Sequence, residues 1–321
     1  MANLFFLGAG FSKYLHSNMP LMLDLGRGIQ EEQYHADLYN EDFKRSKNIE
    51  SFMSYLNEEL PYEKESQYLR KMAAAKDLSR HIWEVISAHD AKYRPTDGNK
   101  HRFFCKLLTE NSSVITLNYD LLLEKSFESA AKSLPGRTFS QKRSYVMPLT
   151  PIISRDGSGM FSTSPPNLKP KIYKLHGSIN WFYSGKFSYY GEQIYVREGI
   201  DDSHLWADKA PLIIPPTFSK SSYFNNESVR FLWNSAYIEL MKCTQLVLFG
   251  YSMPESDSVV KTMLENCLNK EAKVVVVNPD ESVRVRVARS LGERNYSYFS
   301  SGDEFLERYV TGKLLQEGAG I

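Results

Sequence analysis

Cysteine is scarce in this chain. Only Cys105, Cys243 and Cys267 occur, far apart and with no Cys-x-x-Cys pair. Neither a disulfide framework nor a cysteine zinc site is supported, and a reducing, cytoplasmic setting is expected. Long apolar runs are also missing. No stretch approaches the ~20 residues needed to span a bilayer, so no membrane partner is expected. The apolar start breaks at Gly8 and Ser12 and no basic segment precedes it, which argues against a secretory signal. A charge excess of either sign is absent: 39 basic residues face 38 acidic ones, for a net charge of +1. Direct nucleic-acid binding is therefore not indicated. There are no internal repeats or low-complexity tracts, no Gly-x-Ser-x-Gly elbow and no Gly-Lys-Thr phosphate loop. No His, Cys, Asp or Glu spacing suggests a metal ligand set, so no metal is expected.

What is present is a set of short apolar runs in a chain long enough, at 321 residues, to bury a sizeable core. Leu4–Leu7, Val114–Leu117, Ile172–Leu175, Leu246–Phe249, Val274–Val277 and Tyr296–Phe299 are mostly continuous rather than alternating, as parallel strands buried on both faces should be. Helical patterns separate several of them; Val259, Val260, Met263, Leu264 and Cys267 fall at helical spacing. The fold class expected is therefore α/β: a doubly wound, Rossmann-like parallel sheet. It carries a helical insertion over about 41–110 and a small antiparallel meander over about 178–210, within one domain spanning 1–321. In the first insertion Ile49, Phe52, Met53, Leu56 and Leu60 mark one helix, stopped by Pro61. A second covers Ser66 to Ser87, with Leu69, Met72, Leu78, Ile82, Val85 and Ile86 as its inner side. Pro151 to Pro170 reads as a loop. The meander is expected from Trp181–Tyr183, Phe187–Tyr190 and Gln193–Val196.

Ligands of open α/β sheets bind outside the carboxyl ends of the strands, so the polar residues there are the informative ones. Leu4–Leu7 runs into Gly8-Ala-Gly-Phe-Ser12, a glycine turn opening a helix, as phosphate-binding turns do; the third glycine of the usual fingerprint is replaced by Lys13. Asn118-Tyr-Asp120, His176-Gly-Ser178, Gly250-Tyr-Ser252 and Asn278-Pro-Asp280 close four further strands. Each taken singly can be a turn or a cap, and Asp120 and Asp280 both precede helices. Five at one edge point to a site. His176 stands out: it closes a buried strand and meets Gly177, where the backbone must bend or admit a ligand closely.

In this order the motifs resemble the sirtuin-type NAD-binding family, and most of all its bacterial sirtuin-like branch, several of whose members are antiviral NAD hydrolases. Gly302-Asp-Glu-Phe305 is similar to the family's closing adenine-side motif. The resemblance implies NAD as substrate. Gly8, Ala9, Gly10, Phe11 and Ser12 would cradle the pyrophosphate, with Gly250 and Ser252 also on the phosphates and Asn278 on the adenosine ribose. Asn118 would orient the nicotinamide ribose or a water, Asp120 would hold the carboxamide, and His176 would be the base. It further implies a gated NAD glycohydrolase that depletes NAD during phage infection, activated by oligomerisation, such as a homo-oligomer, or by a partner subunit such as an ATPase. Two departures separate the chain from protein deacylases of the family. No cysteine lies between Ser178 and Met241, where those enzymes carry a zinc module, and Leu212–Phe218 replaces the segment that lines their acyl-lysine groove. The turn also continues as Tyr14 to Pro20 in place of the usual Pro-Asp-Phe. A sensor that binds NAD or an ADP-ribose-type ligand without turnover is the alternative, with a deacylase or ADP-ribosyltransferase behind it.

Overall fold

The computed structural model describes residues 3–21, 24–25, 49–110, 112–147, 150–151, 170–183, 194–197, 209–215, 217 and 223–312. Its strands are β1 (Asn3–Leu7), β2 (Ser112–Thr116), β3 (Thr150–Pro151), β4 (Lys171–Lys174), β5 (Gly177–Tyr183), β6 (Ile194–Val196), β7 (Ala210–Ile213), β8 (Gln245–Phe249), β9 (Lys273–Val277) and β10 (Tyr296–Phe299). The helices are α1 (Ala9–Leu15), α2 (Ile49–Asn57), α3 (Glu65–Lys92), α4 (Asn99–Thr109), α5 (Leu122–Lys132), α6 (Gln141–Ser144), α7 (Glu227–Lys242), α8 (Ser258–Cys267), α9 (Glu281–Leu291) and α10 (Gly302–Val310).

All six apolar runs form one parallel sheet in the order β10-β9-β8-β1-β2-β4. β1 is central because both its faces are apolar: Leu4, Phe5, Phe6 and Leu7 are all buried. Phe5 meets Phe103 of α4 and Tyr309 of α10 edge-on, while Phe6 packs against Tyr251. Chain order reverses at β1, with β2 and β4 on one side and β8, β9 and β10 on the other. That reversal opens a crevice at the carboxyl ends of β1 and β8. The architecture is the α/β, Rossmann-like parallel sheet expected, together with a smaller sheet.

The smaller sheet, β3-β6-β5-β7, differs in detail from a simple meander. β5 pairs antiparallel with β6 and β7, but β3 joins β6 in parallel. The Phe187–Tyr190 piece lies outside the described residues, as do 152–169 of the expected loop and 41–48 of the helical insertion. The helices before β2 also depart from expectation in one respect. Lys71, Ala74, Ala75, Leu78, Ile82 and Ile86 form the inner face of α3, whereas Leu69 and Met72 are exposed. At ~100° per residue, Leu69 lies opposite Leu78 on the helix, so it cannot share its face. Trp83 ties α3 to the small sheet by donating from Nε1 to the Ile179 carbonyl at 2.7 Å. No helix among the described residues is long and apolar enough to cross a membrane.

Candidate functional site

A cavity of about 640 Å³ opens at the carboxyl ends of the parallel strands, within the usual size of small-molecule sites. All five expected strand ends send residues into it: Gly8, Ala9, Gly10 and Ser12 come after β1, Asn118 and Asp120 after β2, Gly250 and Ser252 after β8, and Asn278 after β9. His176, after β4, is the fifth. Phe11 is the exception to the expected set. Its ring is buried in the core, edge-on to Phe104 and Phe249, because it falls on the inner side of α1.

The glycines of the first turn serve the chain itself before any ligand. A Cβ on Gly8 would lie 2.5 Å from the Gly250 oxygen, and one on Gly10 would lie 2.8 Å from the Gly250 Cα. Gly250 is locked reciprocally: its φ is +65°, and a Cβ there would sit 2.2 Å from the Phe11 nitrogen. Gly10 N donates to the Gly250 oxygen, Gly8 N to Phe249, and Phe11 N to Gly8. Three N–H groups of the turn are thus engaged within the protein, which narrows the anion-binding role expected of it. Gly177 is similar. Its φ is +87°, and a Cβ would lie 2.1 Å from the Leu212 oxygen, so the close neighbour is β7 rather than a ligand.

The polar residues after β1 and β2 form a directed chain. Asn118 Nδ2 donates to the Gly8 carbonyl at 2.9 Å and to Ser12 Oγ at 2.8 Å, and Ser12 Oγ donates to Asp120 Oδ2 at 2.6 Å. A carbonyl and a carboxylate only accept, so the direction of every bond is set and Asn118 is left with Oδ1 as the acceptor it can offer. Asp120 also accepts from the Leu122 N–H at 3.1 Å. Burial pushes the Asp120 carboxyl up to about 6, with Asp90 and Glu124 adding to the rise and Lys174 and the Ser12 bond opposing it.

Lys174 explains how this loop is held. It is a fully buried cation, bonded to the Asp120 carbonyl and, at 3.0 Å, to Glu124 Oε1, which also accepts from the Tyr145 hydroxyl. Two residues further on, His176 is 5% exposed, its carbonyl accepts from the Ile214 N–H, and its Nε2 lies 3.9 Å from Asp257 Oδ1. Asp257 stands on the 3-10 turn Glu255–Asp257 before α8 and also lines the cavity. Neither Asp257 nor Lys174 is marked by any motif. The only signal for Lys174 is a charge between the apolar Ile172-Tyr173 and Leu175.

At the opposite end, Asn278 Oδ1 accepts from the Asp280 N–H, and Asp280 caps α9 through the Ser282 N–H. Both Ser282 bonds hold the exposed Asp280 carboxyl below its usual range. Tyr14, Ser300 and Gly302 complete this end of the lining. The Tyr14 hydroxyl is bonded to Asp303, and burial followed by that carboxylate raises the phenol well above its usual range. Among the described residues no group of three or more His, Cys, Asp or Glu could hold a metal ion.

Comparison with known proteins follows this geometry. No curated protein sequence matches the chain. Among solved structures, a Sir2 homolog in complex with NAD is 14% identical with a TM-score of 0.50, covering 98% of this chain and 90% of its own. A structure from work on the mechanism and regulation of Sir2 enzymes is 13% identical, with a TM-score of 0.48 over 98% of this chain and 94% of that one. A Sir2 homologue variant bound to ADP ribose is 12% identical, with a TM-score of 0.49 over 98% and 94%. At 14% identity the first likeness is one of fold. The model for the SIR2-like domain matches residues 112–296, more than half of the sequence. The chain belongs to the SIR2-like domain family.

Proposed function

We propose that the protein is an NAD glycohydrolase that cleaves the nicotinamide–ribose bond with water. The observation that carries this reading is the convergence of the Asn118–Ser12–Asp120 chain and His176 on one cavity. Nicotinamide leaves NAD as a neutral molecule, taking the electron pair of the C–N bond, so departure needs no strong acid. What the protein must supply is orientation and a place for one proton. Asn118 Oδ1 would accept from a ribose hydroxyl or from the attacking water. Asp120, ionised above about pH 6, would accept from the carboxamide. His176 would take the proton as the water oxygen bonds to the ribose carbon, and release it to solvent afterwards. Gly8, Ala9, Gly10, Ser12, Gly250, Ser252 and Asn278 would line the diphosphate and adenosine portion.

Free nicotinamide is the quantity to measure. Release in the wild type and a loss of about 10²–10⁴-fold in Asn118→Ala and in His176→Ala would support hydrolysis. Tight NAD binding without release would favour the sensor, and release that requires an acylated peptide would favour the deacylase. The proposed gating and the defence role rest on the resemblance to antiviral NAD hydrolases. Exposed Leu69 and Met72 on α3 give the helices before β2 an apolar outer surface suited to a partner or a second copy. Leu69→Glu with Met72→Glu is expected to remove activation while the unfolding midpoint stays within about 0.5 kcal/mol of wild type. Undiminished activation would assign the gate elsewhere.

A further inference from the structure

We propose that Asp257 is the positioning residue of His176: a buried carboxylate that orients the imidazole and stabilises it when it takes up a proton. The inference rests on the hydrolase reading for its catalytic consequence but not for its geometry. Asp257 occupies the N-cap position of α8, where a carboxylate ordinarily bonds to the N–H groups of the first helical turn. Here its side chain makes no capping bond. It is 8% exposed, and Oδ1 lies 3.9 Å from His176 Nε2. A buried carboxylate at this separation, not engaged in capping its own helix, lies within reach of a charge on the imidazole.

The surroundings make the pair effective. The Trp233 ring, tilted 33° to the imidazole with centroids 6.4 Å apart, covers one side of it, and Trp233 Nε1 donates to the Leu175 carbonyl at 3.2 Å. Tyr251, after β8, is buried and lines the cavity, and its hydroxyl has no hydrogen-bond partner among the described residues. Burial and then the charge of Asp257 raise that phenol well above its usual range, so it stays neutral. Besides tyrosines, the titratable and charged groups that line the cavity with His176 are Asp257 from the turn before α8, Asp120 from the end of β2, and Lys13, Glu50 and Asp280. Asp257 Oδ1 lies within 4 Å of the ring. An opposite charge within about 4–6 Å favours the protonated ring by about 1–3 pH units.

The test is Asp257→Asn, which removes the charge, keeps the shape and retains an equally good N-cap residue. In histidine-labelled protein, the NMR titration midpoint of His176, assigned with His176→Gln, should fall by about one pH unit or more. Nicotinamide release should fall about 10–100-fold in kcat with KM little changed. Asp257→Glu should recover part of both. A His176 midpoint within about 0.3 pH units of wild type, or a rise in KM with unchanged kcat, would overturn the proposal. A wild type that releases no nicotinamide would remove the hydrolase reading instead, and the titration would still decide the pair.

Discussion

Replacing Asp120 by asparagine is expected to stabilise the fold above about pH 6 while ending the activity. Asp120 is 5% exposed, and its carboxyl is pushed from the ordinary 3.8 up to about 6, burial being the dominant cause. In the unfolded chain the carboxyl loses its proton near 3.8; in the fold it keeps it to about 6. Between those values the folded state holds more protons, so wild-type stability falls as pH rises through that window and levels off above it. A rise of about two pH units corresponds to about 3 kcal/mol, at ~1.36 kcal/mol per unit. Asparagine carries no charge to bury and keeps one acceptor, for the Leu122 N–H; its amide nitrogen takes the place of the oxygen that accepts from Ser12, so that bond is lost. Set against about 1–2 kcal/mol for the lost charge-assisted bond, the net gain is about 1–2 kcal/mol, or about 1.5–3 °C in the unfolding midpoint of a chain this long. Thermal unfolding of wild type and variant, compared near pH 4 and at about pH 7.5, isolates the effect, since other titrations cancel between the two proteins. The variant should not exceed wild type at the acid value and should exceed it at the neutral one. An equal difference at both pH values would refute the idea that the buried charge is costly.

Two further perturbations probe the framework. Gly250→Ala must place a Cβ 2.2 Å from the Phe11 nitrogen at a φ of +65°, so a loss of about 3–5 kcal/mol is expected by denaturant titration; an effect below about 1 kcal/mol would show that the loop moves freely. Lys174→Met strands the Glu124 carboxylate in the interior and should cost about 3–5 kcal/mol, whereas adding Glu124→Gln should recover at least about 1 kcal/mol of it. A double variant as unstable as the sum of its parts would mean that the two side chains are not energetically paired.

The six strands of the parallel sheet were legible because burial on both faces writes a continuous apolar run, which needs no knowledge of the neighbours. The strand-end polar residues were legible only as a set: singly each can be a turn or a cap, but five at one edge of a parallel sheet point to a site. The inner face of α3 was not fully legible. Leu69 and Met72 are as apolar as Leu78 and Ile82, and composition does not separate them; only the ~100° step per residue sets Leu69 opposite Leu78. The small sheet was legible only as aromatic alternation; β7 is carried by Ala210–Ile213, where Pro211 obscures the pattern. Asp257 was invisible for a different reason. It sits on a single 3-10 turn, without periodicity, and only the folded chain brings it to His176, 81 residues away in sequence.

The two halves of the site are held by different physics, and this bears on where the chemistry can be tuned. The Gly8, Gly10 and Gly250 turn is fixed by backbone contact: its three glycines leave no room for any side chain, and its N–H groups bond to neighbouring carbonyls. Such a surface is rigid but electrically mild. The Asn118, Asp120 and His176 half is fixed by buried charge, with Lys174 and Glu124 beneath the loop and Asp257 beside the imidazole. Buried charges are costly and respond strongly to one another. Substitutions in the glycine half, like Lys174→Met beneath the loop, should therefore act through stability, whereas neutralising the carboxylates that line the cavity should move protonation states and rates with the fold retained. Asp120→Asn and Asp257→Asn belong to the second class, and their opposite demands, more stability in one and a lower His176 midpoint in the other, separate a cost of burial from a functional pairing of charges.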